Sequence, residues 1–388
     1  MPRLITDWKG REITRHSFSS GDTFRFCARK YRLEKIDGWA QKEKRASLEF
    51  GKCVEAAIVF HHMNGGAGGQ VRFTELWEQF AERTDLTYTD REGDFTSLVR
   101  QGADMLRLYE IRLPGLPILT TPPPRFQANF RKEIFPGTEL AGIEFTAWID
   151  ILAAAPLDHP ALPAWPANRA CGAVRRINID VKTAAASLDE TPGLIALDSQ
   201  LRAYAWASGI PDVAFLWFVK GGSAVKNGDR VTLLETVGLC AAGAQVAVAA
   251  PVEDDGRLWI IPLAAQETLK AHLGTLKGKA LDVRRDEFLP RIGALVEPTA
   301  VTKVRLQFLT ALLTEEDMRE AGQVIGKEVA EIHMASEKDF WPKEGGVRFP
   351  NQKCTFCQMQ PICLGNNVKR DETLIKLDEA WLDQAGSY

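Results

Sequence analysis

The chain has 388 residues, 45% of them hydrophobic and 26% charged, and a formal net charge of −3. That balance is ordinary for a soluble globular protein of one large domain or two smaller ones. It excludes a membrane-spanning helix, since apolar stretches such as Val213 to Val219 are far too short. The first residues lack the apolar run of a signal peptide, so a cytoplasmic location and no membrane partner are expected. A slightly acidic sum does not advertise a nucleic-acid binder, although a groove can be locally basic on an acidic protein. The basic run Arg25, Arg29, Lys30, Arg32 and Lys35 reads by itself as a solvated helix face.

In chain order, Ser17 is a helix-start signal, and Phe24, Cys27 and Tyr31 follow at helical spacing. A second helix is expected from Ala46 to His62, ended by the glycines after Asn64, with His61 and His62 in its last turn. Residues from about Phe73 to Leu113 read as further helices, broken by the prolines that follow. Arg125 to Ile134 and Glu139 to Ala153 read as strands joined by a turn at Phe135. Pro156 to Pro166 is a surface excursion. Arg175 to Lys182 resumes as a strand, Ser199 to Ser208 is helical, and Ala214 to Lys220 is a strand. Helical spacing returns over Gln266 to Arg284 and Val301 to Lys338, and the tail is irregular and cysteine-rich. This order predicts an α/β or α+β core with helical additions.

Two acidic residues stand inside apolar strands, Asp150 and Asp180. A charge there is costly unless paired or bound to metal. Asp180 and Lys182 are two apart and share a strand face. A carboxylate beside a lysine suits metal-assisted hydrolysis, because Mg²⁺ or Mn²⁺ prefers oxygen ligands and the lysine offsets developing negative charge. A lone Asp-x-Lys is ordinarily a salt bridge, so its neighbours matter. Glu55 lies on the second helix, and Gln200 and Tyr204 are four apart on one helix face. Alone, each of these is an ordinary surface feature.

Seven cysteines occur: Cys27, Cys53, Cys171, Cys240, Cys354, Cys357 and Cys363. The last three form C-x2-C-x5-C, and Cys27 is a candidate fourth ligand. Four thiolates suit zinc or an iron–sulfur cluster, and spacing leaves both open. Cys53, Cys171 and Cys240 read as isolated thiols.

Read in order, these pieces resemble the RecB-like branch of the PD-(D/E)XK nucleases. The resemblance runs through Ser17-Phe-Ser-Ser and Cys27-Ala-Arg-Lys-Tyr, Gly51 to Glu55, Gly142 to Asp150, Asp180-Val-Lys182, Gln200-Leu-Arg-Ala-Tyr204 and the late cysteines. It covers nearly the whole chain, and Glu55 stands where histidine is commonest. It implies a single nuclease domain over 1–388, with a restriction-endonuclease-like central mixed sheet flanked by helices. The expected parts are an N-terminal helical part at 14–64, a helical insertion at 65–124 and a catalytic core at 125–220. Accessory strands and helices at 221–338 and a cysteine cluster at 339–370 follow.

The resemblance further implies a divalent ion on Glu55, Asp150, Asp180 and the Val181 carbonyl, with Lys182 catalytic and Gln200 and Tyr204 on the DNA. It implies a 4Fe-4S clasp on Cys27, Cys354, Cys357 and Cys363, as in AddB-like nucleases and the CRISPR adaptation nuclease. The implied activity is Mg²⁺- or Mn²⁺-dependent hydrolysis of single-stranded DNA or DNA ends. This serves recombination, repair, phage DNA metabolism or CRISPR adaptation. No Walker A motif is present in the 388 residues, so unwinding is expected of a helicase or recombination partner. The competing readings are a non-catalytic DNA-binding or assembly subunit on the same fold, and a zinc-bearing structural protein.

Overall fold

The computed structural model describes residues 5–7, 9–88, 94–138, 140–166, 172, 174–184, 192–220, 304–343 and 352–377, with two short strand pairs between 246 and 262. The expected helix at 266–284, Cys171 and Cys240 lie outside the described residues.

The centre is a six-stranded mixed sheet flanked by helices. Its strands are β1 (Arg15–Ser17), β2 (Arg125–Glu133), β3 (Glu144–Pro156), β4 (Val174–Ala184), β5 (Asp212–Val219) and β6 (Arg305–Leu312). The order is β1-β3-β4-β5-β6, with β2 also paired to β3. β1 with β3 and β4 with β5 are parallel; the other pairs are antiparallel. β1 pairs with Glu144 to Thr146 of β3, and β4 takes up pairing only from Ile151. Between them Asp150 stands at a break in the sheet.

The helices are α1 (Phe18–Phe26), α2 (Ala46–Met63), α3 (Gly69–Glu78), α4 (Phe95–Arg112), α5 (Ser199–Ser208) and α6 (Glu315–Glu337). On one face Phe50, Val54 and Ile58 of α2, with Phe73, Trp77, Leu106 and Tyr109, pack against Ile177, Ile179, Leu216 and Phe218. On the other face Leu201 and Ala205 of α5 meet Val213 and Phe215, while Ala203, Ile325 and Val329 meet Phe145, Ala147 and Ile149. α5 and α6 approach so closely that a Cβ at Gly322 would lie 2.2 Å from Trp206 Nε1.

Local signals explain the boundaries. Ser17 caps α1 in a reciprocal pair with Ser20, and Asp198 caps α5 by accepting from Leu201 N at 2.9 Å. α1 stops at Phe26, because Cys27 is extended at φ −168° and ψ 120°. The expected single helix through Tyr31 is therefore two helices with Cys27 at the joint. A second correction concerns 301–338. Its first part is strand β6, paired along its whole length with β5, and only Glu315–Glu337 is helical. Leu306 packs on one face of the sheet and Leu309 and Ala311 on the other. A strand covered on both faces loses the alternation that marks a strand in sequence. The central sheet thus extends beyond the 125–220 core. No described helix is long and apolar enough to cross a membrane.

Candidate metal and cysteine sites

Four elements deliver the carboxylate site. The β3–β4 ladder runs to Ile151 opposite Ile179, and the next register position brings Asp150 beside Asp180 at the ends where the strands part. Val181 N donates to Asp150 Oδ2 at 2.7 Å, which ties β4 to the first carboxylate. Lys182, two residues past Asp180 on the same face, places Nζ 2.6 Å from Asp180 Oδ2. α2 crosses above the sheet at Gly51, where a Cβ would sit 3.3 Å from Thr183 Oγ1. One turn later on α2, Glu55 reaches the same place, close enough for the Asp150 and Asp180 charges to act on it.

Gln200 and Tyr204 face inward, not out to solvent as a surface patch would. Gln200 Nε2 lies 3.0 Å from Asp180 Oδ1 and 2.7 Å from Tyr204 Oη. Tyr204 is buried in the cluster with Ile149 and Leu152. Asn178 of β4 donates to Ser208 Oγ at 2.9 Å and to the Ile210 carbonyl at 3.1 Å, so the end of α5 is also tied to this strand.

The electrostatics follow from three acids in one low-dielectric pocket. Burial first, then the Asp150 and Asp180 charges, push the Glu55 carboxyl up to about 8. Burial pushes Asp180, only 1% exposed, up to about 7 against the pull of Lys182. Burial also raises Asp150, opposed by the Val181 N–H and Lys182. All three carboxyls are thus pushed toward their protonated forms. A divalent cation would reverse this by pairing with the ionised forms, and three oxygen ligands suit Mg²⁺ or Mn²⁺.

One participant carries no signal in the sequence. Gln127 of β2 donates from Nε2 to Glu55 Oε1, and its side-chain amide also favours the ionised form of Asp150. Gly142 lies in the β2–β3 turn at φ 91°, its N–H 2.8 Å from Glu133 Oε1, away from the acids.

The second site joins the two ends of the described fold. Cys27, Cys354, Cys357 and Cys363 line one cavity of about 260 Å³ with Phe26, Met359, Gln360 and Leu364. None of these four cysteines is in a disulfide. Lys30, Lys343 and Lys353 line the same cavity, and Lys343 Nζ donates to the Cys363 carbonyl at 2.8 Å. Burial raises the thiols of Cys357 and Cys363. Among the described residues, no group of three or more His, Cys, Asp or Glu closes on a single ion, neither these cysteines nor Glu55, Asp150 and Asp180. The cysteines instead surround a space many times the ~10–15 Å³ that one water needs by the same measure. Zinc needs thiolates drawn to about 2.3 Å from one point. Four thiols around one cavity are a donor set for either zinc or an iron–sulfur cluster. The remaining described cysteine, Cys53, is buried in the α2 core. His62 is satisfied within that layer, its Nε2 2.7 Å from Tyr109 Oη, whereas the buried His61 Nδ1 makes no hydrogen bond and has Glu110 3.4 Å away.

No protein-family model matches the chain, and no curated protein matches it. Among solved structures, the crystal structure of SSO0001 is similar at 13% identity and a TM-score of 0.19. The match covers 52% of this chain and 77% of that one. A likeness at that level carries no argument about function.

Proposed function

We propose that the chain is a divalent-metal-dependent DNA nuclease built on a PD-(D/E)XK-type core, with a 4Fe-4S cluster on its four clustered cysteines. The observation that carries this reading is the meeting of Glu55, Asp150, Asp180 and Lys182 from three separate elements, with Gln200 and Tyr204 braced against Asp180. A salt bridge would account for Asp180 and Lys182. It would not account for two further carboxyl groups held beside them at the cost of raised pKa values.

The ion would be held by Glu55, Asp150, Asp180 and the Val181 carbonyl. When bound, it supplies polarisation of the scissile phosphate and lowers the pKa of the attacking water. The protein's own groups do the rest. The Val181 N–H and the Gln200 amide fix the orientation of Asp150 and Asp180. Lys182, with 35% of its side chain exposed, offers a cation to the negative charge that grows as the phosphodiester is cut. Tyr204 holds Gln200 in place. The part-exposed cation beside buried acids favours the catalytic reading over a non-catalytic subunit on the same fold.

The test is degradation of end-labelled single-stranded DNA by the purified chain with Mg²⁺ or Mn²⁺. Activity is expected in metal, none in EDTA, and a loss of about 10³-fold or more in Asp180→Ala and Lys182→Ala. Full activity in either variant would overturn the assignment.

A further inference from the structure

We propose that Gln127 is a positioning residue of the carboxylate site, whose side-chain amide holds Glu55 and Asp150 together in ligating position. The proposal rests on the metal-dependent reading above and adds a residue to it.

The backbone gives the first observation. Gln127 has φ 47°, a left-handed conformation that glycine adopts freely and glutamine rarely does. Among the described residues only Asp339 shares this property without being glycine. Asp339 follows the end of α6, where left-handed residues are common. Gln127 has no such excuse, since it lies within a nine-residue strand.

The ladder gives the second. β2 and β3 pair at Phe126 with Ile151 and at Ala128 with Ile149, in unbroken register. The rung between them, Gln127 opposite Asp150, is missing. The faces of the sheet change over at the same rung. Ile149 packs with Tyr204 on the α5 side, whereas Ile151 packs with Phe50 on the α2 side. Residues two apart on a regular strand would share a face. The irregularity therefore sits at the metal-site carboxylate itself.

The side chain gives the third. Its amide donates to Glu55 Oε1, and in the ladder Gln127 falls opposite Asp150. Two carboxyl groups at close range repel when ionised, and an amide has two N–H groups to satisfy one oxygen of each. Glycine at 127 would meet the backbone's demand and leave both acids without that donor. Strain kept in a strand where glycine would remove it marks a side chain that is needed. Gln127 is exposed, so a substitution there does not open the core.

The experiment measures Mn²⁺ affinity of the full chain by electron paramagnetic resonance. The variants are Gln127→Met, Gln127→Gly, Glu55→Gln, the Gln127→Met/Glu55→Gln double mutant and Asp180→Ala. Gln127→Met keeps the shape and removes the donors. Gln127→Gly removes both donors and strain, and guards against a folding failure. Each is expected to bind Mn²⁺ about tenfold more weakly, the range for a residue that orients metal ligands, with the circular-dichroism spectrum unchanged. The loss from Gln127→Met should shrink in the Glu55→Gln background, because Gln127 acts in part through Glu55. Wild-type affinity in Gln127→Met, or an undiminished loss in the double mutant, overturns the proposal. If wild type and Asp180→Ala alike fail to bind Mn²⁺, the metal-dependent reading falls and the proposal with it. If wild type binds and only Asp180→Ala is impaired, the role of Gln127 alone is refuted.

Discussion

Three carboxyl groups crowd one break in the sheet, and their protons respond to pH in a defined way. The Glu55 carboxyl moves from an ordinary 4.5 to about 8 in the folded chain, chiefly through burial. The folded state therefore keeps a proton that the unfolded state has lost, and stability must fall as pH rises through that window. His16 and His62, lowered by burial to about 4, act in the opposite sense but only below their ordinary 6.5. Thermal melts of metal-free protein between pH 6.5 and 8 isolate the carboxyl effect. Tm is expected to drop with rising pH, and the slope should be shallower in Glu55→Gln or with added Mg²⁺. An equal slope in Glu55→Gln would show that the acids do not crowd as described. At this scale most of the site was legible. Asp150 and Asp180 stood out as charges in apolar strands, and Lys182 followed from the period of two. Gln127 was not legible, because nothing in Arg-Phe-Gln-Ala announces a left-handed backbone in mid-strand.

α5 connects local sequence to the site more directly than any other element. Its cap at Asp198 starts the helix two residues ahead of Gln200, which sets the angle at which Gln200 meets Asp180. Asp198→Ala should cost about 1 kcal/mol in urea unfolding, whereas Asp198→Asn should cost less than half of that. Equal losses would mean that the charge, not the cap, matters. The same helix was readable to the residue from Ser199 to Ser208, because its cap and its glycine stop are both local signals. β6 was misread as helix for the opposite reason. Its identity depends on β5, ninety residues earlier, and on cover from both faces. α5 and the strands β2 to β5 were visible in the sequence, whereas β6, whose pattern depends on its partner strand, was not.

For the whole molecule, the cysteine cavity is the widest-reaching connection. Cys27 and Cys354 are more than three hundred residues apart, yet they line one space of about 260 Å³. Joining such distant points removes much of the freedom of the unfolded chain. Purified protein is expected to be brown, with absorbance near ~400 nm from thiolate-bound iron. Cys363→Ala should be colourless and melt several degrees lower. A colourless wild type carrying stoichiometric zinc would remove the cluster. The spacing C-x2-C-x5-C was readable and Cys27 was expected as the fourth thiol; the fold adds the joint ending α1 that turns Cys27 into the shared cavity.

That joint also fixes an order of events during synthesis. All six strands of the central sheet, Asp150, Asp180 and Lys182 have been made before Cys354 leaves the ribosome. A nascent or prematurely ended chain can thus assemble its sheet while three of four cysteine ligands do not yet exist. Only a chain read through to Cys363 has all four thiols, so a group bound by them would lock both ends only once synthesis had passed the carboxylate site.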